Sequence, residues 1–174
     1  VIVSPPPEPT TWYVDDSGEA DFTTIQAAIL DDRVVPRDTI VILPGTYTWF
    51  DVYKPHLTIQ SLEGPDSVTV DCAGAEIDGR EDATGLILDG LTIINSPYGV
   101  RLGDTGPAPD SIVRNCVFSG ITSGVQLKAP NCTFENNVFV GSTSSRLISV
   151  TGVANANFIN NTFMVSGLIG NIFV

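Results

Sequence analysis

The feature that most constrains the fold of this sequence is a motif that recurs four times in its second half. Each copy has an apolar run, a short turn and a second apolar run, and the copies occupy residues 88–93, 113–118, 134–139 and 158–163. Successive copies end 25, 21 and 24 residues apart. This period is typical of solenoids, because one repeat cannot bury its own apolar face and has to stack on its neighbours.

Each repeat contains at least two short β-prone segments joined by turns. A second set of recurring segments has the same period, since residues 99–102 and 124–127 are also 25 apart and residues 146–150 lie in the next repeat. The leucine framework of leucine-rich repeats is absent, because Phe, Val, Ile and Cys interchange at the aligned positions. The sequence therefore predicts an all-β fold, a parallel β-helix of about six or seven coils.

Asparagine recurs at one turn position of the repeat, as Asn115, Asn136 and Asn160. Asparagine tolerates left-handed backbone angles, and its amide can bond to the same residue in the adjacent coil. We interpret the three residues as a structural ladder. Ligand binding by these residues is the weaker alternative, because turn geometry alone requires the same residue in every coil.

The N-terminal part of the chain differs from the repeats. Residues 1–11 are predicted to form a β-prone strand, Val1, Ile2 and Val3, followed by a proline-rich spacer, whereas residues 12–174 are assigned to the β-helix domain. Residues 22–30 are predicted to form a short α-helix, since Thr23 and Gln26 have the spacing of a capping box.

Charge and composition exclude several classes of function. The formal net charge of −12 repels phosphate backbones, which argues against nucleic-acid binding. The sequence contains no run of 18 apolar residues, so no membrane-spanning helix is predicted. With one His and three widely spaced cysteines, Cys72, Cys116 and Cys132, no metal site or cofactor is expected. At most one disulfide can form, and a free cysteine either packs in the core or pairs between subunits.

Two segments of the N-terminal third are distinctive, residues 14–29, VDDSGEADFTTIQAAI, and residues 38–47, DTIVILPGTY. They resemble the N-terminal signature of the pectin lyase-like superfamily. The resemblance implies a right-handed parallel β-helix with a short N-terminal capping α-helix. The superfamily includes pectinesterases, pectate lyases and noncatalytic surface proteins, so the resemblance implies the fold more strongly than an activity.

Candidate catalytic residues are few. The best cluster is Asp78, Arg80 and Asp82, with Asp71, Arg101 and Asp104 expected on neighbouring coils. Two carboxylates and two arginines could serve a polysaccharide lyase, esterase or hydrolase, but a charged run between strands is more often a solvated loop. The segments typical of pectinesterases are missing. We therefore assign no catalytic residue and expect a non-enzymatic protein, with a polysaccharide-binding or polysaccharide-degrading domain as the alternative.

The two ends of the sequence favour self-assembly. The C-terminal segment stays apolar, whereas solenoids usually close on a polar cap. We expect a head-to-tail homopolymer, a filament or surface layer, in which a donated N-terminal strand meets an open coil. The assembly residues would be Val1, Ile2, Val3, Leu168, Ile169, Ile172, Phe173 and Val174. Cell-surface carbohydrate is the alternative partner, and the expected location is extracellular or at the cell surface.

Two tripeptides, at Asn131 and Asn160, match the N-glycosylation sequon. Asn131 is the better candidate, because the proposed ladder would bury the amide of Asn160.

Overall fold

The computed structural model describes residues 8–80, 82–142, 147–152 and 155–166 of the chain. These residues form 18 β-strands and one short helix. The helix is α1 (Ile25–Leu30), and the strands are β1 (Thr11–Val14), β2 (Thr39–Ile42), β3 (Gly45–Thr48), β4 (Asp51–Val52), β5 (Thr58–Ser61), β6 (Val68–Asp71), β7 (Ile77–Gly79), β8 (Ile87–Asp89), β9 (Thr92–Ile94), β10 (Val100–Leu102), β11 (Ile112–Arg114), β12 (Val117–Ser119), β13 (Val125–Leu127), β14 (Thr133–Glu135), β15 (Val138–Ser142), β16 (Ile148–Val150), β17 (Asn157–Ile159) and β18 (Thr162–Ser166).

The strands form three parallel sheets, each running along the length of the solenoid. The first sheet has the order β1-β2-β5-β8-β11-β14-β17, the second β3-β6-β9-β12-β15-β18, and the third β4-β7-β10-β13-β16. From β2 to β15, each strand pairs with the strand three positions later in the chain, for example β2 with β5 and β3 with β6. Each coil therefore places one strand in each sheet. Five coils, β2-β3-β4 to β14-β15-β16, are complete in the described part of the chain. The predicted all-β parallel β-helix is confirmed.

The core lies inside the coils and is built from the same position of successive coils. In the second sheet Phe118, Phe139 and Phe163 stack, with ring centroids 4.8 and 5.1 Å apart. In the first sheet Phe134 stacks on Phe158 at 5.4 Å. Since side chains alternate along a strand, the residues on either side of each core position face outward.

The short helix covers the N-terminal end of this core with Ile25, Ala28 and Ile29, all of which are buried. Its N-cap is Thr24, whose hydroxyl accepts a hydrogen bond from the backbone N–H of Ala27 at 3.1 Å. The capping residue therefore lies one position after Thr23, the residue that the capping-box pattern predicted. The helix begins at Ile25 because the cap satisfies a free N–H of its first turn.

Candidate functional site

The outward face of the third sheet carries a continuous column of polar side chains. Strand register aligns Asp51, Asp78, Arg101, Gln126 and Ser149, one from each coil. Their neighbours toward the core include the buried Leu102 and Leu127, so the column faces outward. With adjacent strands about 4.8 Å apart, its five positions span about 19 Å.

Aromatic rings border this column. Trp49 lies two residues before Asp51, between β3 and β4, with the fully buried Phe50 between them. The side chain of Trp49 is 42% exposed. Tyr53 donates its hydroxyl to Asp51 Oδ2 at 3.1 Å, and the Arg101 guanidinium lies 5.3 Å from the ring centroid of Tyr98. The face thus combines flat apolar surfaces with hydrogen-bonding groups.

Among the residues that the structure describes, three cations of this face, Arg80, Arg101 and Lys128, each contact a carboxylate. Arg80 Nε lies 2.8 Å from Asp51 Oδ2, and Arg80 Nη2 lies 3.7 Å from Asp78 Oδ2. Arg101 pairs with Glu76 at 2.6 Å and also with Asp104, while Lys128 pairs with the same Asp104. Asp104 therefore bridges two cations that belong to adjacent coils.

Asp78 lies at the centre of the network and is fully buried. The loop after β10, residues 103–109, brings Thr105 Oγ1 to donate to Asp78 Oδ1 at 3.0 Å. Asp78 Oδ2 has no hydrogen-bond partner. Burial raises the pKa of Asp78, which the Thr105 hydrogen bond and the nearby Arg101 and Arg80 partly offset. A proton on this carboxyl is therefore held more tightly than on an exposed aspartate.

The loop of residues 103–109 also forms one wall of a groove of about 570 Å³, whose other wall is residues 128–130. Three proline rings, Pro107, Pro109 and Pro130, give it apolar walls, and Asp104, Thr105 and Lys128 contribute polar groups. Next to this loop, Gly79 packs closely, since a Cβ there would lie 3.1 Å from Ala108 and 3.3 Å from Ala83. The groove adjoins the third sheet, because Thr105 and Asp104 of its wall contact Asp78 and Arg101.

The structure brings together four of the residues that the sequence grouped, namely Asp78, Arg80, Arg101 and Asp104. Asp71 and Asp82 lie elsewhere. Asp71 is on the second sheet and accepts from Asn95 at 3.1 Å, and the exposed Asp82 accepts from Thr84 at 2.7 Å. Sequence reasoning missed Asp51, which strand register places beside Asp78. It also missed Glu76, which pairs with Arg101, and the exposed Trp49, which lies between β3 and β4.

All three cysteines are free and buried. Burial raises the pKa of Cys72 and Cys116 to about 12 and that of Cys132 to about 11. The thiol of Cys116 donates to Arg114 O at 3.1 Å. These thiols are protonated at neutral pH and are packed as small core residues.

The turn asparagines adopt left-handed angles, with φ values of 54° at Asn115, 55° at Asn136 and 52° at Asn160. All three are exposed. The buried amides belong to the next residue: Asn137 Nδ2 donates to Asn161 Oδ1 at 3.0 Å and to Val113 O at 2.9 Å. A hydrogen-bonded asparagine pair therefore lies one position after the predicted ladder, inside the corner of the coil.

The two sequon asparagines both lie on the surface. Asn131 occupies an exposed turn with φ 60°, where its amide donates to Asp110 Oδ1 and its carbonyl accepts from Asn155, each at 3.0 Å. The exposed position of Asn160 means that its amide is not buried, contrary to expectation. Glycosylation of either residue stays a prediction.

The predicted assembly residues, Val1, Ile2, Val3, Leu168, Ile169, Ile172, Phe173 and Val174, lie outside the described residues. In the described ranges no helix is both long and apolar enough to span a bilayer.

Comparison with known families gives one match. Residues 38–170, about three quarters of the chain, match the model of a family described as periplasmic copper-binding protein (NosD). This family is related to the pectate lyase-like β-helices, in agreement with the resemblance of the N-terminal segments. A comparison with curated proteins gives no significant match.

Proposed function

We propose that this chain, which belongs to the NosD family, is a non-enzymatic carbohydrate-binding β-helix domain that acts outside the cytoplasm. The family description is periplasmic, and the acidic, lysine-poor composition suits an exported protein. Periplasm, cell envelope and cell surface are all places where a polysaccharide ligand is available.

The outward face of the third sheet is the observation that carries this proposal. A sugar ring presents an apolar C–H face and a rim of hydroxyls, so its binding site needs an aromatic surface beside groups that donate and accept hydrogen bonds. The exposed ring of Trp49 offers the apolar surface, and the partly exposed Arg101, Gln126 and Ser149 offer the hydrogen-bonding groups. The three strand positions from Arg101 to Ser149 span about 10 Å, which accommodates a short stretch of an extended polymer.

The buried carboxylates of the third-sheet face argue for binding rather than catalysis. A general acid or base has to reach within hydrogen-bond distance of the reacting atom. Asp78 is fully buried beneath Thr105, and Asp51 is engaged by Arg80 and Tyr53. Asp82, the second carboxylate of the predicted catalytic cluster, bonds to its own turn instead.

Copper binding, which the family description names, is not part of the proposal. The chain has one His, one Met and three cysteines as soft ligands. The three thiols are buried and protonated. Among the residues that the structure describes, no group of three His, Cys, Asp or Glu side chains could hold a metal ion. The residues present do not fit a copper site, because copper requires deprotonated thiolate or several imidazole ligands at one point.

Affinity electrophoresis tests the proposed function. Soluble polysaccharides in a native gel should retard the protein, and Trp49→Ala should abolish most of the retardation. Tyr13→Ala is the matched control, since Tyr13 is 43% exposed but lies on the first sheet, at its β1 edge. Equal retardation of the wild type and the Trp49→Ala variant would contradict the assignment of this face.

Self-assembly is a separate prediction, and it rests on residues outside the described ranges. Helix α1 covers the N-terminal end of the core, so a second copy could not stack an open coil directly on that end. Strand donation by Val1, Ile2 and Val3 is the form of the prediction that this arrangement still allows.

A further inference from the structure

We infer that the third-sheet face selects uncharged polysaccharides and rejects polyuronates and other anionic chains. This inference rests on the proposed carbohydrate-binding function and names the ligand class of the same face. It differs from the polyuronate specificity that a resemblance to pectate lyases would imply.

The three described cations of the face are already paired with carboxylates of the protein. A uronate carboxylate is bound by an arginine or lysine that is free to pair with it. Arg80 is held by Asp51 at 2.8 Å, Arg101 by Glu76 at 2.6 Å and by Asp104, and Lys128 by Asp104. An anionic ligand would have to displace a carboxylate of the protein from each of these pairs.

The excess of acidic groups over cations also disfavours an anionic ligand. The network holds four carboxyl groups, Asp51, Asp78, Glu76 and Asp104, against three cations. The chain as a whole has a formal net charge of −12. A polyanion is therefore repelled at long range, and at short range Arg80, Arg101 and Lys128 are already paired with carboxylates. A neutral chain meets neither penalty, and its hydroxyls can bond to the outer edges of the paired groups.

Asp104 determines this specificity, because it engages two cations at once. It lies at the end of the groove wall formed by residues 103–109, and Lys128 stands on the opposite wall with its side chain 38% exposed. Asp104→Asn keeps the shape of the side chain but removes the charge that both Arg101 and Lys128 neutralise. The variant would free Lys128 and leave Arg101 paired with Glu76, so the groove would present a cation that can bind a carboxylate.

The experiment compares neutral and anionic polysaccharides in affinity gels at low ionic strength with EDTA present. The probes are galactomannan, a soluble β-glucan and polygalacturonate. For the wild type we expect retardation by at least one neutral polymer and binding to polygalacturonate at least about tenfold weaker. Asp104→Asn should gain polygalacturonate binding that 0.5 M salt removes, since about 0.5 M salt screens surface charges within a few ångströms.

Asp66→Asn is the control, because Asp66 is exposed in a turn outside this network and its substitution changes the net charge equally. If Asp104→Asn unfolds, Glu76→Gln removes the other carboxylate that pairs with Arg101 and gives a second test. Polygalacturonate binding by the wild type, or no gain in both variants, would overturn the inference while leaving carbohydrate binding intact. Failure of every polymer to bind the wild type and the variants would instead overturn the proposed function.

Discussion

The buried amide of Asn137 allows a strong test of how the coils are held in register. Its Oδ1 accepts from the backbone N–H of Cys116 at 2.9 Å, and its Nδ2 donates to Val113 O and Asn161 Oδ1. Asn137→Ala leaves the buried Cys116 N–H without an acceptor, which costs about 1–3 kcal/mol. The two other lost hydrogen bonds contribute about 0.5–1.5 kcal/mol each. The free energy of unfolding should therefore fall by about 2–6 kcal/mol.

Asn136→Gly is the matched control, since Asn136 is exposed at φ 55°, an angle that glycine adopts without strain. We expect it to change the unfolding free energy by less than about 1 kcal/mol. Urea unfolding followed by circular dichroism measures the unfolding free energy of both variants. In thermal unfolding, each kcal/mol lost should lower Tm by about 2–4 °C in a chain of this size. Similar losses for the two variants would refute the assignment of the stabilising amide to position 137.

Three further predictions concern the thiols, the buried acid and the N-terminus. Because burial raises the pKa of all three thiols, the native protein should not react with a thiol reagent at pH 7.5 and should not bind added copper. The reagent should titrate three thiols only after the protein is unfolded. Rapid reaction of the native protein, or one tightly bound copper ion, would contradict this prediction. The raised pKa of Asp78 means that the folded state binds its proton more tightly, so the stability due to this group is greatest at low pH and falls as pH rises from about 3.8 through the folded pKa. Asp78→Asn, which keeps an acceptor for Thr105, should therefore gain stability relative to the wild type as pH increases, and a difference in unfolding free energy that is constant from pH 3 to 8 would count against the buried acid. If strand donation by Val1, Ile2 and Val3 forms a polymer, deletion of residues 1–9 should leave a folded monomer in light scattering; the same large species after deletion would rule this contact out.

The fold could be predicted because the repeat is a property of the sequence itself. Aligned positions such as Phe118, Phe139 and Phe163 are apolar in every coil, and the structure stacks them. The turn asparagines were visible for the same reason, since a left-handed angle restricts the residue type. The next residues, the buried Asn137 and the partly buried Asn161, were less visible, because the equivalent position of another coil holds Cys116. Only the three-dimensional structure of the corner shows the amide hydrogen bonds there.

The candidate site was only partly predictable from the sequence. Arg101 and Asp104 were expected near Asp78, and the structure places them there. Asp51 was missed because successive members of its column are separated by unequal numbers of residues, 27 from Asp51 to Asp78 but 23 from Asp78 to Arg101. Loops such as residues 103–109 differ in length between coils, and the hydrogen-bond register of the sheet, rather than spacing, determines which side chains meet.

The most direct test of the central claim uses the fluorescence of Trp49, one of only two tryptophans in the chain. In a Trp12→Phe variant, Trp49 becomes the single reporter on the third-sheet face. Titration with a neutral polysaccharide that retards the protein should shift Trp49 emission to the blue and protect it from acrylamide, as the ring becomes covered by sugar. Binding that leaves Trp49 emission unchanged but alters Trp12 in the reciprocal Trp49→Phe variant would contradict the account, because the ligand would then occupy a different face.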